Sequence, residues 1–323
     1  MGAARWVAVR PGIGRCTDGL SRARPFPAPS VRGAYLRSPC ARPMPVATVC
    51  NHKGGSGKTT TAVMLAAAFG KTGRRVLVID FDPQGFLSHT LGIAEPAPAR
   101  SALALVDPGA GVGRVSDLPV HVTGGFDVLP ASQSMTRAQR SLGKPTDVFL
   151  LREALARGHD YDLVVIDTAA AVSVFTLNAL VASDEALIPV TPEYQPVVGA
   201  EQTWATCSLV RDRLNPSLAE PRFLLTQVDA RKRNHAGFGR YVRDTYAHHV
   251  LGAVVRTSSV LAETARDGRT AFDTALASRG ARDYALVADE LRAAYFPAAP
   301  APSGDGAEAA PAGVPAWSLP GST

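Results

Sequence analysis

The sequence predicts an α/β fold: a single domain on a mostly parallel sheet, with helices on both faces. Three observations predict it. Apolar, β-rich runs bounded by turn residues recur along the chain, and helical patterns fall between them. Several runs are continuous rather than alternating, as expected for strands buried on both faces. A glycine-rich turn, Lys53-Gly54-Gly55-Ser56-Gly57, joins the first run to the first helical pattern.

The predicted strands are 46–50, 75–80, 126–130, 162–167, 185–190, 223–228 and 250–255. The predicted helices are 59–72, 147–158, 174–183, 199–214, 236–248 and 281–295. Between them, 94–120 is rich in Pro, Ala and Gly and predicts a short helix between loops. Ligands of such sheets bind beyond the carboxyl ends of the strands. The glycine turn, the pair Asp80 and Asp82, and Asp167 all fall there, so the three are expected to converge.

Strand, glycine turn and helix in succession make a phosphate cradle. Backbone N–H groups point inward and the helix N-terminus adds a partial positive charge. Gly54, Gly55, Ser56, Gly57 and Thr60 line it; a Cβ at a glycine would block the backbone's approach to phosphate. Lys58 is expected to reach the β- and γ-phosphates, and the Thr59 hydroxyl to ligate Mg²⁺. The domain is therefore expected to be P-loop NTPase-like. The usual pattern would place glycine where this chain has His52, and a second lysine, Lys53, opens the loop. Lys53 is poorly placed for its own nucleotide and well placed for one held by a second copy.

Alternation puts Asp80 and Asp82 on one side of their strand, facing the loop. Two carboxylates there can serve Mg²⁺ through its water shell and hold an attacking water. Asp167 ends the run Leu163-Val164-Val165-Ile166 and has the form of a metal-supporting acid, in line with Mg²⁺ through water or through Thr59.

Lys53-Gly54-Gly55-Ser56-Gly57-Lys58-Thr59-Thr60 resembles the deviant Walker A motif of the ParA/MinD superfamily of dimerising ATPases. Residues 75–85 are similar to the strand and switch of ParA-type partition ATPases. Further matches are Thr176-Leu177-Asn178-Ala179-Leu180, Pro192-Glu193-Tyr194, Thr226-Gln227-Val228-Asp229 and Leu261-Ala262-Glu263, so the resemblance spans about Met44 to Phe296. It implies ATP and Mg²⁺ as ligands, with Lys53, Lys58 and Asp82 catalytic. It gives Asp82 the hydrolytic water, Asp80 a part in the metal site, and Gln227 to Asp229 the adenine. It also implies an ATP-dependent homodimer that binds DNA without sequence preference. That dimer would position chromosome or plasmid cargo and hydrolyse ATP when a ParB-like or other adaptor stimulates it. Basic residues cluster at Arg231, Lys232, Arg233, His235, Arg240 and Arg243, and again at Arg256, Arg266, Arg269, Arg279 and Arg282. Of these, Arg231, Arg233 and Arg256 are the expected DNA contacts, made through phosphates.

One departure stands out. Relatives carry a pair of prolines after the acid corresponding to Asp167, where this chain has Ala169 and Ala170. Losing two rigid residues loosens the second switch. Two other readings follow: a relative that positions a non-DNA cargo, or a nucleotide-dependent scaffold with negligible hydrolysis.

The net charge of +6 sits in one place. Residues 1–43 hold eight arginines and one acid, Asp18, so the rest of the chain is nearly neutral and DNA binding needs a local patch. That segment reads as a basic low-complexity extension from an over-extended translation start, with Met44 as the native start. A genuine basic arm and an Arg-rich transit peptide are the other readings. The ATPase domain is expected to span 44–297, and 298–323 to be a disordered Ala/Pro-rich tail. No apolar run approaches the ~18–20 residues that span a bilayer. The proline-rich tail makes no amphipathic anchor, so no membrane partner and a cytoplasmic, nucleoid-associated location are expected. The four cysteines show no C-x-x-C spacing and suggest neither a disulfide framework nor a cluster.

Overall fold

A computed structural model describes residues 45–296, except 108, 110, 112, 113, 119, 124 and 264–268. The expected extension 1–43, the start at Met44, the tail 298–323 and Arg266 lie outside the described residues.

Seven strands form one sheet: β1 (Val46–Val49), β2 (Val76–Phe81), β3 (His121–Thr123), β4 (Phe126–Leu129), β5 (Leu163–Thr168), β6 (Glu185–Val190) and β7 (Arg222–Leu225). Their order is β3-β4-β2-β5-β1-β6-β7, parallel throughout except that β3 runs antiparallel to β4 at one edge. The α-helices are α1 (Lys58–Lys71), α2 (Phe86–Thr90), α3 (Ser134–Ser141), α4 (Leu150–Ala156), α5 (Val174–Ala182), α6 (Tyr194–Arg213), α7 (Arg233–Tyr246), α8 (Ser259–Glu263), α9 (Ala271–Thr274) and α10 (Arg279–Tyr295).

Strand periodicity decides the two layers. In β2, Val76 and Val78 pack with Ala62 to Phe69 of α1 and with Tyr284 and Leu291 of α10. Leu77 and Ile79 point the other way, into a cluster with Leu151 of α4 and Phe175 of α5. A third cluster packs Ile188 and Val190 of β6 under Val197 and Cys207 of α6. Helices thus cover both faces, and the central strands carry no polar side. β1 sits mid-sheet between β5 and β6, where the direction of strand addition reverses. The loop after β1 therefore opens at the switch point of the sheet, the expected ligand crevice.

Three expectations are corrected. Residues 250–255 are not a strand. Val250 makes an isolated bridge to Phe223, and Arg256, the next residue after the segment, makes one to Val228. Between these, the Gly252 and Ala253 N–H groups donate to the Glu290 carboxylate at 2.8 and 2.9 Å, which interrupts the ladder. The strand expected over 223–228 stops at Leu225, because Gln227 turns to a positive φ of 53°. The region 94–120 holds three 3-10 turns, Pro98–Arg100, Ala102–Leu105 and Val115–Asp117, and no α-helix among its described residues. The edge strand β3 and helix α3 had no counterpart in the sequence reading. α6 begins earlier than expected, with Pro196 in its first turn, where no intrahelical N–H is required. Among the described residues no helix is long and apolar enough to cross a membrane.

Candidate nucleotide site

The turn between β1 and α1 owes its shape to two glycines. Gly55 has φ 77°, and Gly57, which caps α1, has φ 85°, a region where a side chain is strained. The first helical hydrogen bond runs from Thr61 N–H to Gly57 O at 2.8 Å, so the amides of residues 58–60 have no intrahelical partner. The outward carbonyls of the turn are held from another segment. Thr226 Oγ1 donates to Ser56 O at 2.8 Å, and Gln227 Nε2 donates to Gly55 O at 2.6 Å. A concave surface of inward amides remains, suited to an anion.

Lys58 is buried, and its Nζ donates to Lys53 O at 3.2 Å. Burial lowers its pKa; Asp167 and Asp82 act in the opposite sense. Thr59 Oγ1 donates to Asp167 Oδ2 at 2.7 Å, while Asp167 Oδ1 is buried without a hydrogen-bond partner. Burial, then the field of Asp80, pushes the Asp167 carboxyl up to about 8. An orphaned carboxylate oxygen beside a threonine hydroxyl, in a like-charged surround, is what a hard cation would relieve. These residues therefore fit Mg²⁺.

Asp80 is paired in register with Asp167 on the neighbouring strand. Its carboxylate already accepts from Ser88 N (2.9 Å), Ser88 Oγ (2.6 Å) and Asp82 N (3.3 Å), while burial pushes it up to about 6. Asp80 thus ties the 82–88 turn to the sheet and is less open to a metal than Asp167. Asp82 is partly exposed, accepts from Gln84 N at 2.9 Å, and lies close enough for its charge to act on Lys58. Asp80, Asp82, Asp167, Lys58 and Thr59 do converge.

Lys53 is exposed at the loop's rim, and its backbone N–H is held by Asn51 Oδ1 at 2.9 Å. The underside of this rim rests on α6. Thr203 Oγ1 accepts from His52 N–H at 2.9 Å, and a Cβ at Gly199 would stand 2.8 Å from Lys53 Cβ. Gly199, Thr203 and Ser88 are supports that the sequence reading missed, and Thr226 was named there only within a matching segment. The glycine inside a helical pattern was the one available signal. His52 itself has a buried Nε2 without a partner; burial, then Lys58, lowers its pKa and keeps it neutral.

Gln227 touches the loop directly through its bond to Gly55 O. The Asp229 carboxylate accepts from Arg231 N, Nε and Nη2 at 3.0, 2.9 and 2.8 Å. That guanidinium holds Asp229 well below the usual carboxylate range. Asp229 is therefore engaged in shaping its own turn. Of the three expected DNA contacts, Arg231 and Arg233 are exposed at the start of α7. Arg256 lies beside Val228, but its guanidinium is the counter-ion of Asp283, which is 2% exposed. Arg256 thus carries a structural load that the sequence did not disclose.

A family model described as an AAA domain matches residues 44–220. The chain is 37% identical to the chromosome-partitioning ATPase Soj of Thermus thermophilus over 76% of this chain and 94% of that protein. It is 33% identical to the chromosome partitioning protein ParA of Caulobacter vibrioides over 78% and 95%. The fold matches a cobyrinic acid a,c-diamide synthase from Mycobacterium smegmatis, solved with an ATP analogue and magnesium. The TM-score is 0.66 at 29% identity, over 78% of this chain and 96% of that one. With its phosphate loop between β1 and α1 and Asp167 hydrogen-bonded to Thr59, the chain belongs to the ParA/MinD-type P-loop ATPases.

Proposed function

We propose that this chain is an ATP-dependent dimerising switch that binds DNA without sequence preference and partitions or positions chromosome or plasmid cargo. The observation that carries this reading is the pairing of Thr59 with a half-satisfied Asp167 beside buried Lys58, with Lys53 left exposed on the rim. ATP binds with its phosphates on the amides of residues 54–60, and Lys58 leaves the Lys53 carbonyl to meet them. Thr59 and Asp167, with Asp80 behind them, would hold Mg²⁺, whose charge would offset that of the phosphate oxygens. Asp82 orients the attacking water. Lys53, on the open side, reaches the nucleotide of a second copy, so the γ-phosphate becomes part of the interface and its loss releases the pair. Charge developing during transfer is met by both lysines.

The DNA surface in this reading is the exposed start of α7, with Arg231 and Arg233 contacting phosphates. An adaptor protein of the ParB-like kind stimulates turnover, and the switch works in the cytoplasm, on the nucleoid. The test combines light scattering with gel retardation of arbitrary duplex DNA, under ATP, a non-cleavable analogue, ADP and no nucleotide. The expected result is a dimer and a salt-sensitive DNA shift only with the two triphosphates. A monomer in all four conditions overturns the reading.

One observation favours a second reading. Ala170, Ala171 and Val172 after β5 are exposed, where relatives carry a rigid proline pair nearby. A switch without that proline pair would couple poorly to hydrolysis and leave a nucleotide-dependent scaffold. Phosphate release with DNA and adaptor, at or below background, would favour it over the cycling switch.

A further inference from the structure

We propose that Glu220, His248 and His249 form a binding site for one divalent transition-metal ion of the zinc class, remote from the nucleotide loop. One ligand atom from each of these side chains lies within 4.8 Å of the other two. Glu220 precedes β7 and the histidines follow α7, which places the site at the amino end of a parallel sheet whose nucleotide loop opens at the carboxyl end.

The geometry suits a small chelate. His249 Nε2 stands 3.1 Å from Glu220 Oε2. Two ligands bound at about 2.0–2.1 Å to a tetrahedral ion lie about 3.3 Å apart, close to that spacing. Side chains of consecutive residues ordinarily diverge, yet the rings of His248 and His249 have centroids 3.9 Å apart. The convergence follows a kink at Ala247, a non-glycine residue with φ 41° and ψ −113°. Backbone held in such a region needs a compensating interaction from its surroundings, and strained positions gather at functional sites.

The surroundings hold the candidate ligands in place. Arg211 Nη1 takes Glu220 Oε1 at 3.0 Å and leaves Oε2 toward the histidine. Trp204 meets the His249 ring edge-on at 4.9 Å and stacks on Phe223 of β7 at 5.4 Å. Supports of this kind orient metal ligands in built sites. Two imidazoles and one carboxylate suit zinc and its neighbours, whereas Mg²⁺ prefers oxygen donors alone. The site is therefore chemically distinct from the nucleotide's Mg²⁺ site. An ion there would bridge the end of α7 to the segment entering β7, stiffening the helix that carries Arg233.

The experiment uses the full chain, treated with chelator and free of nucleotide. Zn²⁺ is titrated calorimetrically and Co²⁺ by visible absorption, with His248→Asn and Glu220→Gln as exposed-site variants whose metal-free melting checks the fold. The expected result is one equivalent of Zn²⁺, a melting temperature raised by Zn²⁺ in the parent chain, and affinity at least about tenfold weaker in each variant. The Co²⁺ spectrum should lack thiolate charge-transfer bands. Absence of saturable binding, unchanged affinity in either variant, or thiolate bands pointing to the cysteines would overturn the proposal.

Discussion

The phosphate end of the site and the strap opposite it, residues 226–257, touch the same loop but are built by different means. At the phosphate end, local chain geometry does the work: two left-handed glycines, a helix N-terminus and in-register carboxylates on β2 and β5. Outside helix α7 the strap is irregular, and side-chain hydrogen bonds and an ion pair that are long-range in sequence hold it. Thr226 and Gln227 bond to the loop, Thr257 Oγ1 bonds to Gln227 O, and Arg256 pairs with Asp283 on α10. The difference teaches that the phosphate cradle is specified by residues close in sequence, while the strap that holds its outward carbonyls depends on long-range contacts.

The comparison can be broken most directly at Lys58. Lys58→Ala removes the one buried ammonium in the cradle, and turnover is expected to fall by at least about a hundredfold. Turnover near the parent value, read by phosphate release, would mean that the phosphate end is not where the chemistry lies. Asp82→Ala should also cut hydrolysis by about a hundredfold or more, since the proposed water-orienting group is lost. It should, however, leave ATP binding intact and give a persistent dimer. A variant that stays monomeric by light scattering with ATP and Mg²⁺ would count against that role.

Gly199→Ala probes the floor beneath Lys53. The added Cβ would stand 2.8 Å from Lys53 Cβ, so the rim must shift. Better helix propensity offsets the clash by about 1 kcal/mol, so the melting point should move little. ATP-dependent dimerisation should weaken by roughly tenfold, a loss of about 1.4 kcal/mol, while nucleotide affinity of the single chain is kept. Equal losses in both would make Gly199 a packing residue only.

The smallest effect on chemistry is expected in the strap. Arg256→Ala leaves buried Asp283 without its counter-ion, and stability should drop by about 2 kcal/mol. This is less than for a fully buried pair, because the guanidinium is half exposed. Denaturant unfolding measures the loss, and gel retardation at permissive temperature separates it from DNA contact. Arg233→Ala should instead weaken DNA binding with no change in stability. The reverse pattern would exchange the two arginines' roles.

Much was legible beforehand because it is local. Lys53 to Thr60 dictate a glycine turn capped by a helix, and continuous apolar runs such as 163–166 dictate strands covered on both faces. Residues 250–255 were misread because their composition suits a strand, yet Glu290, 38 residues beyond Gly252, takes the amides that pairing would need. The ion pair of Arg256 was illegible for the same reason: its partner Asp283 is brought to it only by the packing of α10.

From the chain alone came the layered α/β architecture, the phosphate cradle and the acids that face it. Each follows from residues adjacent in sequence and from the periods of strand and helix. Only tertiary structure decided that Asp80 is spoken for by Ser88, that Asp167 keeps one oxygen free, that α6 underlies Lys53, and that two histidines meet Glu220. Apart from Asp80 and Ser88, eight residues apart, those contacts join segments tens of residues apart, and no local pattern records which group will satisfy a buried charge.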